Sequence, residues 1–304
     1  MQTRTNRPAI IPRSITNPSG QAVQVRKALA DFKRRLAEVR KQVYNLYFPK
    51  LKSSAVVNKK YEFLLDSFTL SQLSNELDFI LENLLLEGGE HFLWFNRLYI
   101  DPAYQSGLTQ EITNLAQQSV IYQAAQKTAA SLLMTEQYQR RIGYLRARVF
   151  EDMQGFSAEV SKSVALRLSQ GLIQGVAPAS LAQDIANAVG SQLFRGERIA
   201  RTEILNALRQ ARLDESEITQ REMNLKTMQM HISALSPTTR ESHAMRHGNL
   251  YTIAEQREWW AESPNAINCK CSTTSVLVDA NGQPFIDTPI KRARAVKSRW
   301  SSAV

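Results

Sequence analysis

The sequence has little glycine and little cysteine, and both scarcities restrict the classes of protein to which it can belong. Glycine accounts for 12 of the 304 residues, about half of the usual ~7%, which favours helices over turn-rich β structure. The two cysteines, Cys269 and Cys271, lie two positions apart and do not make the disulfide framework of a small secreted domain. We therefore expect a helical protein made in a reducing compartment.

Long hydrophobic runs are also missing. The longest candidate, residues 79–86, is interrupted by Glu82 and Asn83, whereas a membrane span needs about 18–20 apolar residues. The first residues, MQTRTNRPAIIPRS, contain no continuous apolar stretch and no small-residue cleavage site, so we expect no secretory signal. With 43% hydrophobic and 22% charged residues, the chain is still apolar enough to bury a core. These features predict a soluble, intracellular protein without a membrane span.

The signatures of common enzymes are missing as well. The sequence contains no GxSxG, no Walker A loop, no GxGxxG and no HExxH, which are the motifs of several large enzyme classes. His243 and His247 have the spacing of a zinc hydrolase, but Ala244 stands where such an enzyme carries its glutamate base. We therefore expect no enzymatic activity and no catalytic residues.

Acidic residues are nearly absent from both ends of the chain. Residues 1–60 contain 14 basic and 2 acidic side chains, and residues 291–304 contain 5 basic and no acidic ones. Residues 61–290 carry a net charge of −7, so the total of +10 conceals an acidic body between two basic ends. Basic ends suit contact with a polyanion such as double-stranded DNA, or with an acidic protein surface.

The most regular segment is an apolar stripe that runs from Val25 to Leu46 with the spacing 4-3-4-3-4-3. It predicts an amphipathic helix over residues 23–48 with an a/d seam and a basic face at positions e, f and g. That face is either the solvent-exposed side of a helix in a bundle or a surface that binds phosphate or an acidic partner. The predicted contact residues on this helix and in the C-terminal basic segment are Arg26, Lys27, Lys33, Arg34, Arg35, Arg40, Lys41, Lys291, Arg292 and Arg294.

The remaining patterns predict a mainly α protein, in which a multi-helix body is followed by a small α+β C-terminal module, with basic flexible termini. Helix follows helix from about residue 68 to 222, and strands are predicted at 227–233, 250–253 and 271–278 around a short helix. The prolines near the start of the chain and the unpatterned basic residues at its end predict flexible tails. The predicted segments are a tail at 1–22, a helical N-terminal region at 23–159, the module-bearing region at 160–280 and a tail at 281–304.

Histidine and cysteine concentrate in the predicted module. Three of the four histidines lie within residues 231–247, and both cysteines follow at the start of the last predicted strand. Imidazole and thiolate are zinc ligands, and one ion would stabilise a small unit that has little core of its own. The alternative is a buried thiol pair beside surface histidines. The candidate ligands of a structural zinc are His243, His247, Cys269 and Cys271, and no other cofactor is expected.

Several motifs in this region together resemble the phage Mu protein F-like minor head proteins. Ile-Ala-Arg-Thr-Glu at 199–203 is similar to the "ARTE" helix of that family, and Thr-Arg-x-x-His, a glycine and Cys-x-Cys follow in the family's order. The resemblance covers about residues 160–275 and identifies 160–280 as a head morphogenesis domain. The sequence departs from the family pattern at His231, Ser236 and Lys270. The matching motif residues are Arg201, Thr202, Glu203, Thr239, Arg240, His243, Gly248, Cys269 and Cys271.

The resemblance implies a minor capsid protein of a tailed bacteriophage that acts in head assembly, DNA delivery or ejection. It implies the portal, the major capsid protein or a scaffold protein as partners, with double-stranded DNA as a further one, and several copies per virion. The implied location is inside the capsid or at the portal vertex, after assembly in the bacterial cytoplasm. The alternative is a metal-dependent nuclease or toxin-like effector that uses the His/Cys cluster. Four protein ligands would leave no zinc position for water, which favours a structural site.

Overall fold

The computed structural model describes residues 5, 7–51, 54–57 and 60–301. The described residues form two compact units, each assembled from separate stretches of the chain. Unit 1 takes its residues from 1–25, 99–145 and 201–304, and unit 2 takes its residues from 26–98 and 146–200. Each predicted domain is one continuous stretch of sequence, whereas stretches of the two units alternate along the chain. The predicted domain boundaries therefore remain a prediction.

Three long helices contribute residues to both units. They are α1 (Ala22–Leu51), α7 (Glu136–Gln174) and α9 (Leu193–Met223). No helix in the described ranges is apolar over a sufficient length to pass through a bilayer. The prediction of a mainly α protein with a small α+β module near the C-terminus is confirmed.

Unit 2 combines helices with one hairpin. Its remaining helices are α2 (Ser67–Leu85), α3 (Gly89–Phe92) and α8 (Pro178–Gly190), and its hairpin pairs β1 (Ser54–Val57) antiparallel with β2 (Lys60–Phe63). Aromatic rings pack against one another in its core. The ring of Phe32 lies 5.3 Å from Trp94, 5.4 Å from Phe95 and 5.9 Å from Phe156 between centroids.

Helix α1 is the predicted amphipathic helix, but its buried stripe is rotated from the predicted a/d seam. Ala28 and Tyr47 are buried, whereas Leu29 and Leu46 are only half-buried. The buried residues from Val25 to Leu51 recur with the spacing 3-4-4-3-4-4-4, which is closer to the 3.6-residue period of a straight helix than to the 3.5-residue period of a coiled coil. The helix therefore packs as an ordinary globular helix.

Unit 1 is built around a three-stranded antiparallel sheet in the order β4–β3–β5. The central strand β3 pairs with β5 over six residues, with His231 opposite Thr273. A π-helical turn at Asn96–Ile100 leads into the first helix of the unit. The strands are β3 (Thr227–Ile232), β4 (Leu250–Tyr251) and β5 (Ser272–Leu277), and the helices not yet named are α4 (Asp101–Gln118), α5 (Val120–Ala124), α6 (Ala129–Leu133), α10 (Glu241–Arg246), α11 (Ile253–Ala261) and α12 (Thr288–Ser301).

The two faces of this sheet have different chemistry, because successive side chains of a strand point to opposite sides. Met230 and Ile232 of β3 belong to an apolar cluster with Val276. On the other face, Gln229 is buried and donates hydrogen bonds to the hydroxyls of Ser216, at 2.9 Å, and Ser275, at 2.7 Å. The hydrogen bonds of Gln229 offset part of the cost of burying this polar face.

The segments expected to be flexible tails are packed into unit 1 in their described parts, which corrects that expectation. Ala9 is buried in the apolar cluster of the sheet, and the backbone N–H of Ile10 donates to Asn114 Oδ1 at 2.9 Å. At the other end, residues 288–301 form α12, which buries Ile290 and Ala293 in the same cluster. Ile290 and Ala293, three residues apart, thus give α12 an apolar face that packs on the sheet, although the surrounding sequence is strongly basic.

Candidate metal centre

Three of the four predicted metal ligands converge in the interior of unit 1. His243 comes from α10, and Cys269 and Cys271 come from the loop that leads into β5. The imidazole Nδ1 of His243 lies 3.5 Å from the Sγ of Cys269 and 3.4 Å from the Sγ of Cys271. All three side chains are 2% exposed, and their ligand atoms lie within 4.8 Å of one another. The arrangement is a compact set of one imidazole and two sulfurs.

Aromatic rings and one arginine surround this set. The imidazole of His243 packs against the indole of Trp259, with 4.7 Å between centroids. The guanidinium of Arg209 lies 4.6 Å from the centre of the Trp260 ring and donates to the carbonyl oxygen of Cys269 at 3.3 Å. Arg209 is fully buried, and its Nε and Nη2 atoms have no hydrogen-bond partner among the described residues. A cation therefore lies buried close to the two sulfurs.

The two thiols differ in their acidity. The hydrogen bond from the Cys271 thiol lowers the pKa of Cys269 well below its ordinary value, and the nearby Arg209 guanidinium lowers it further. The same hydrogen bond, followed by burial, raises the pKa of Cys271. The Sγ of Cys271 also lies 3.7 Å from the hydroxyl oxygen of Ser233. Cys269 is consequently the first of the pair to become a thiolate.

His247, the fourth predicted ligand, is not part of the cluster. The residue ends α10, and its Nδ1 accepts a hydrogen bond of 3.0 Å from the backbone N–H of Ser233. Burial lowers the pKa of its imidazole. The spacing i, i+4 would place both histidines on one face of a longer helix, but the backbone leaves the helical conformation at His247, with φ −58° and ψ 124°.

His231 is a further buried histidine near the centre, on β3. Its Nδ1 lies 3.2 Å from the amide oxygen of Gln256, and its ring lies 5.0 Å from Trp259 between centroids. Burial lowers its pKa to about 3, so the imidazole is neutral at neutral pH. This residue extends the buried polar and aromatic environment around the cluster.

The loop that carries the cysteines is held in place by residues of the Thr-Arg-x-x-His motif. The guanidinium of Arg240 donates to three carbonyl oxygens in the loop at 264–267, at 2.8, 3.3 and 2.9 Å. Thr239 shapes the turn before α10, because its hydroxyl accepts from the backbone N–H of Ser236 at 2.9 Å. Arg240 thus connects the start of α10 to the loop before Cys269.

The Ala-Arg-Thr-Glu motif on α9 contacts the same loop. The hydroxyl of Thr202 accepts from the backbone N–H of Asn268 at 3.1 Å, and the guanidinium of Arg201 donates to the Asn268 side chain at 3.2 Å. Asn268 has a φ of 54°, a left-handed conformation that asparagine tolerates better than most residues. Glu203 is buried beside these contacts, at 3% exposure.

Gly248 allows a close backbone approach after α10. Its φ is 76°, and a Cβ atom built there would lie 3.0 Å from the Cγ of Arg294 on α12. Its carbonyl oxygen accepts from the Nε of Arg294 at 3.2 Å. The motif residues therefore fix the loop, the short helix and the strand that together build the cluster.

The predicted basic contact residues fall into two groups. On α1, six of the seven are exposed, whereas the side chain of Arg35 is largely buried and donates to the Leu84 carbonyl at 2.6 Å. Arg35 also pairs with Glu87 at 2.7 Å, so its partners are within unit 2. On α12, Lys291, Arg292 and Arg294 are all exposed, although Arg294 also donates to the Gly248 carbonyl. The exposed α1 residues, named here the α1 basic face, are Arg26, Lys27, Lys33, Arg34, Arg40 and Lys41.

Sequence reasoning missed Arg209 as part of the site. The sequence around Arg209 predicts an ordinary charged residue on a helix. Only the packing of α11 brings Trp260 against its guanidinium. A buried arginine stacked on an indole carries no local sequence signal, because the two residues are far apart in the chain.

Residues 162–274 match the model of a family described as Phage Mu protein F like protein. The matched segment covers somewhat over a third of the chain and contains every motif residue described above. Neither a curated protein nor a solved structure matches the chain.

Proposed function

Because the match over residues 162–274 supports assignment of the chain to the phage Mu protein F-like family, we propose that it acts in the morphogenesis of a tailed bacteriophage head. This family match is the single observation that carries the proposal. We propose further that the protein is a minor component of the virion, present in several copies, inside the capsid or at the portal vertex. Its protein partners would be the portal, the major capsid protein or a scaffold protein.

A structural role fits the His/Cys cluster better than the enzymatic alternative. A nuclease or effector needs its reactive groups open to a substrate, but His243, Cys269 and Cys271 are each 2% exposed. The depth of the cluster favours a role in holding α10 and the loop before β5 together.

The α1 basic face supports a proposal that the protein also contacts DNA. At about 100° per residue, its six cations lie within an arc of about 140° around the helix axis, and they extend over about 22 Å along it. Arg35 lies outside this arc, which agrees with its contacts inside unit 2. A row of exposed cations on one face suits the phosphates of packaged DNA, and binding would weaken steeply with salt through counterion release. Lys291 and Arg292 of α12 offer a second, smaller basic surface.

The head assignment is tested by measuring the chain in purified particles. DNA-filled heads from a lysate of the host that encodes the chain are banded on a density gradient, and their proteins are quantified by mass spectrometry. We expect the chain to co-purify with the portal and major capsid proteins at a low, constant number of copies per head. Heads that contain both of those proteins and lack this chain would contradict the proposal.

The DNA contact is tested with two variants that remove the same charge. K27Q/K33Q/K41Q removes three cations from the α1 basic face, and K162Q/R167Q/R198Q removes three exposed cations elsewhere on unit 2. We expect the slope of log affinity against log salt to fall by about 3 in the first variant, since each lost phosphate contact reduces it by about 1. The control should keep the slope of the unmodified protein. Equal slopes in all three proteins would exclude the α1 basic face as the contact.

A further inference from the structure

We propose that His243, Cys269 and Cys271 bind one zinc ion through the imidazole Nδ1 and the two sulfurs. The sequence predicts four ligands, whereas the structure brings only these three together. The inference stands on the geometry of the cluster and does not rest on the proposed function in head assembly.

The distances between the ligand atoms are those of a tetrahedral zinc site. With Zn–S bonds of about 2.3 Å and Zn–N bonds of about 2.0–2.1 Å, tetrahedral geometry places a sulfur ligand and a nitrogen ligand about 3.5 Å apart. In the cluster, the Nδ1 of His243 lies 3.5 Å from one sulfur and 3.4 Å from the other. Both nitrogen–sulfur separations therefore match a single ion, and all three ligand atoms lie within 4.8 Å of one another.

The donor set selects zinc over other common divalent ions. Thiolate and imidazole ligands at tetrahedral spacing favour zinc, whereas magnesium and calcium require oxygen ligands. Two thiolates also neutralise the charge of one Zn²⁺ ion, so the metal adds no net charge to a buried site. The buried position of the three side chains is thus compatible with the bound ion.

The fourth coordination position would lie beside Ser233. The hydroxyl oxygen of this residue is 3.7 Å from the Sγ of Cys271, a separation close to the roughly 3.6 Å expected between a sulfur and an oxygen ligand on zinc. His247 is not among the residues whose ligand atoms converge here, and its Nδ1 accepts from the backbone N–H of Ser233.

The ion would add one further link between α10 and the loop before β5, beside the hydrogen bonds of Arg240. α10 has only six residues, and the loop before β5 carries both cysteines. Cys269 and Cys271 are separated by one residue, so an extended backbone directs both side chains to the same side. A zinc ion between them and α10 would fix the position of this loop against the sheet.

The first test measures zinc directly in the full-length protein. The chain is purified in a chelator-free buffer with added zinc, desalted, and analysed by inductively coupled plasma mass spectrometry. We expect about one zinc per chain. After zinc is exchanged for Co²⁺, we expect the intense visible bands of a tetrahedral ion and a sulfur-to-cobalt charge-transfer band in the near ultraviolet.

Variants then identify the ligands. H243Q, C269S and C271S should each lower zinc affinity at least tenfold, and C269S and C271S should also weaken the charge-transfer band. H247Q is the matched control, since it alters a buried histidine four residues away and should keep about one zinc per chain. Far-ultraviolet circular dichroism shows which variants are folded, and the cobalt spectrum of the unmodified protein provides a readout that needs no variant.

Two outcomes would overturn the proposal. Less than about 0.1 zinc per folded chain, without cobalt bands, would show that the cluster is a hydrogen-bonded thiol pair. Loss of zinc in H247Q to the same extent as in H243Q would show that the ligand set differs from the one the geometry assigns.

Discussion

The phenol of Tyr122 donates a hydrogen bond of 2.5 Å to the carboxylate of Glu215 in the interior of unit 1. The hydroxyls of Tyr138 and Thr219 donate to the same carboxylate, and the ammonium of Lys127 lies 3.2 Å from it. Burial, followed by the negative charge of Glu215, raises the pKa of both tyrosines, so both remain protonated donors. Glu215 is fully buried and is held there by groups that all require an acceptor.

Replacing Glu215 with glutamine should therefore destabilise unit 1 strongly. The amide would direct N–H groups at donors and would leave the Lys127 charge without its buried partner, so we expect the free energy of unfolding to fall by about 3 kcal/mol. Urea unfolding followed by circular dichroism measures the change. The matched control is E222Q, because Glu222 is 47% exposed and lies 3.9 Å from the same ammonium. E222Q should cost less than about 1 kcal/mol, and equal stability of E215Q and unmodified protein would contradict the account.

Gly107 permits the close approach of α4 to α9. A Cβ atom built there would lie 2.3 Å from the carbonyl oxygen of Leu208 and 2.8 Å from the Cβ of Ala211. G107A should lower the free energy of unfolding by about 1–3 kcal/mol, because the backbone must shift to admit the methyl group. G143A is the control in α7, where no atom lies within 4 Å of the new Cβ. It should raise stability by about 0.5–1 kcal/mol, and a stabilising G107A would refute the packing argument.

His231 should make the stability of the protein sensitive to acid. Burial lowers its pKa to about 3 in the folded chain, whereas an unfolded histidine titrates near 6.5. Below about pH 6.5 the unfolded state binds a proton that the folded state does not, so the free energy of unfolding falls towards pH 3 by up to about 1.4 kcal/mol per pH unit.

The test compares unfolding curves at several values between pH 6.5 and 4. H231Q should reduce the pH dependence, since glutamine does not titrate and can still bond to Gln256. H91Q replaces an exposed histidine and should leave the slope as it is. If the unmodified protein and H231Q lose stability in parallel, His231 is not the group responsible.

Variants of Arg35 and Arg34 should have different effects, the first on the stability of the protein and the second on its binding to DNA. The side chain of Arg35 is 11% exposed and lies over the Trp94 ring at 4.0 Å, whereas that of Arg34 is 71% exposed and pairs only with the nearby Asp31 among the ion pairs of the described residues. R35Q should lower the free energy of unfolding by about 1–3 kcal/mol, because it removes hydrogen bonds made by a charged group. Its DNA salt slope should be unchanged.

R34Q should behave in the opposite way. We expect a stability change below about 1 kcal/mol and a decrease of about 1 in the DNA salt slope. Urea unfolding and a filter-binding titration measure both quantities on the same preparations. A reduced DNA salt slope in R35Q, with an unchanged slope in R34Q, would show that Arg35 and not Arg34 contacts DNA.

Local patterns predicted the secondary structure of the C-terminal module well. The alternating residues at 227–233 and the strand predicted at 271–278 correspond to β3 and β5, and Gly248 follows α10 as a helix-ending glycine would. These predictions succeed because strand alternation and helix termination depend on adjacent residues. Local pattern failed at 288–301, where the charge of the segment concealed the two apolar residues that cover the sheet.

The candidate site was predicted in part. The Cys-x-Cys pair and His243 come together in the structure, since thiols and imidazoles concentrated in one short region have few places to pack. His247 does not join them, because α10 ends at Arg246 and His247 lies beyond its last helical residue. Arg209 could not be predicted, as its burial depends on Trp260 of a separate helix.

The sequence by itself determined the helical character of the chain, the strands of the module, the basic face of α1 and the motifs that match the family, because all of these are encoded in residues close to one another in the chain. The tertiary structure decided which cations remain exposed, which histidine meets the two sulfurs and which buried carboxylate collects four donors. Each of those outcomes depends on distances between side chains that lie tens to hundreds of residues apart, as Tyr122 and Glu215 do. Burial then sets their chemistry, since a charge or polar group removed from water persists only where folding supplies its partners.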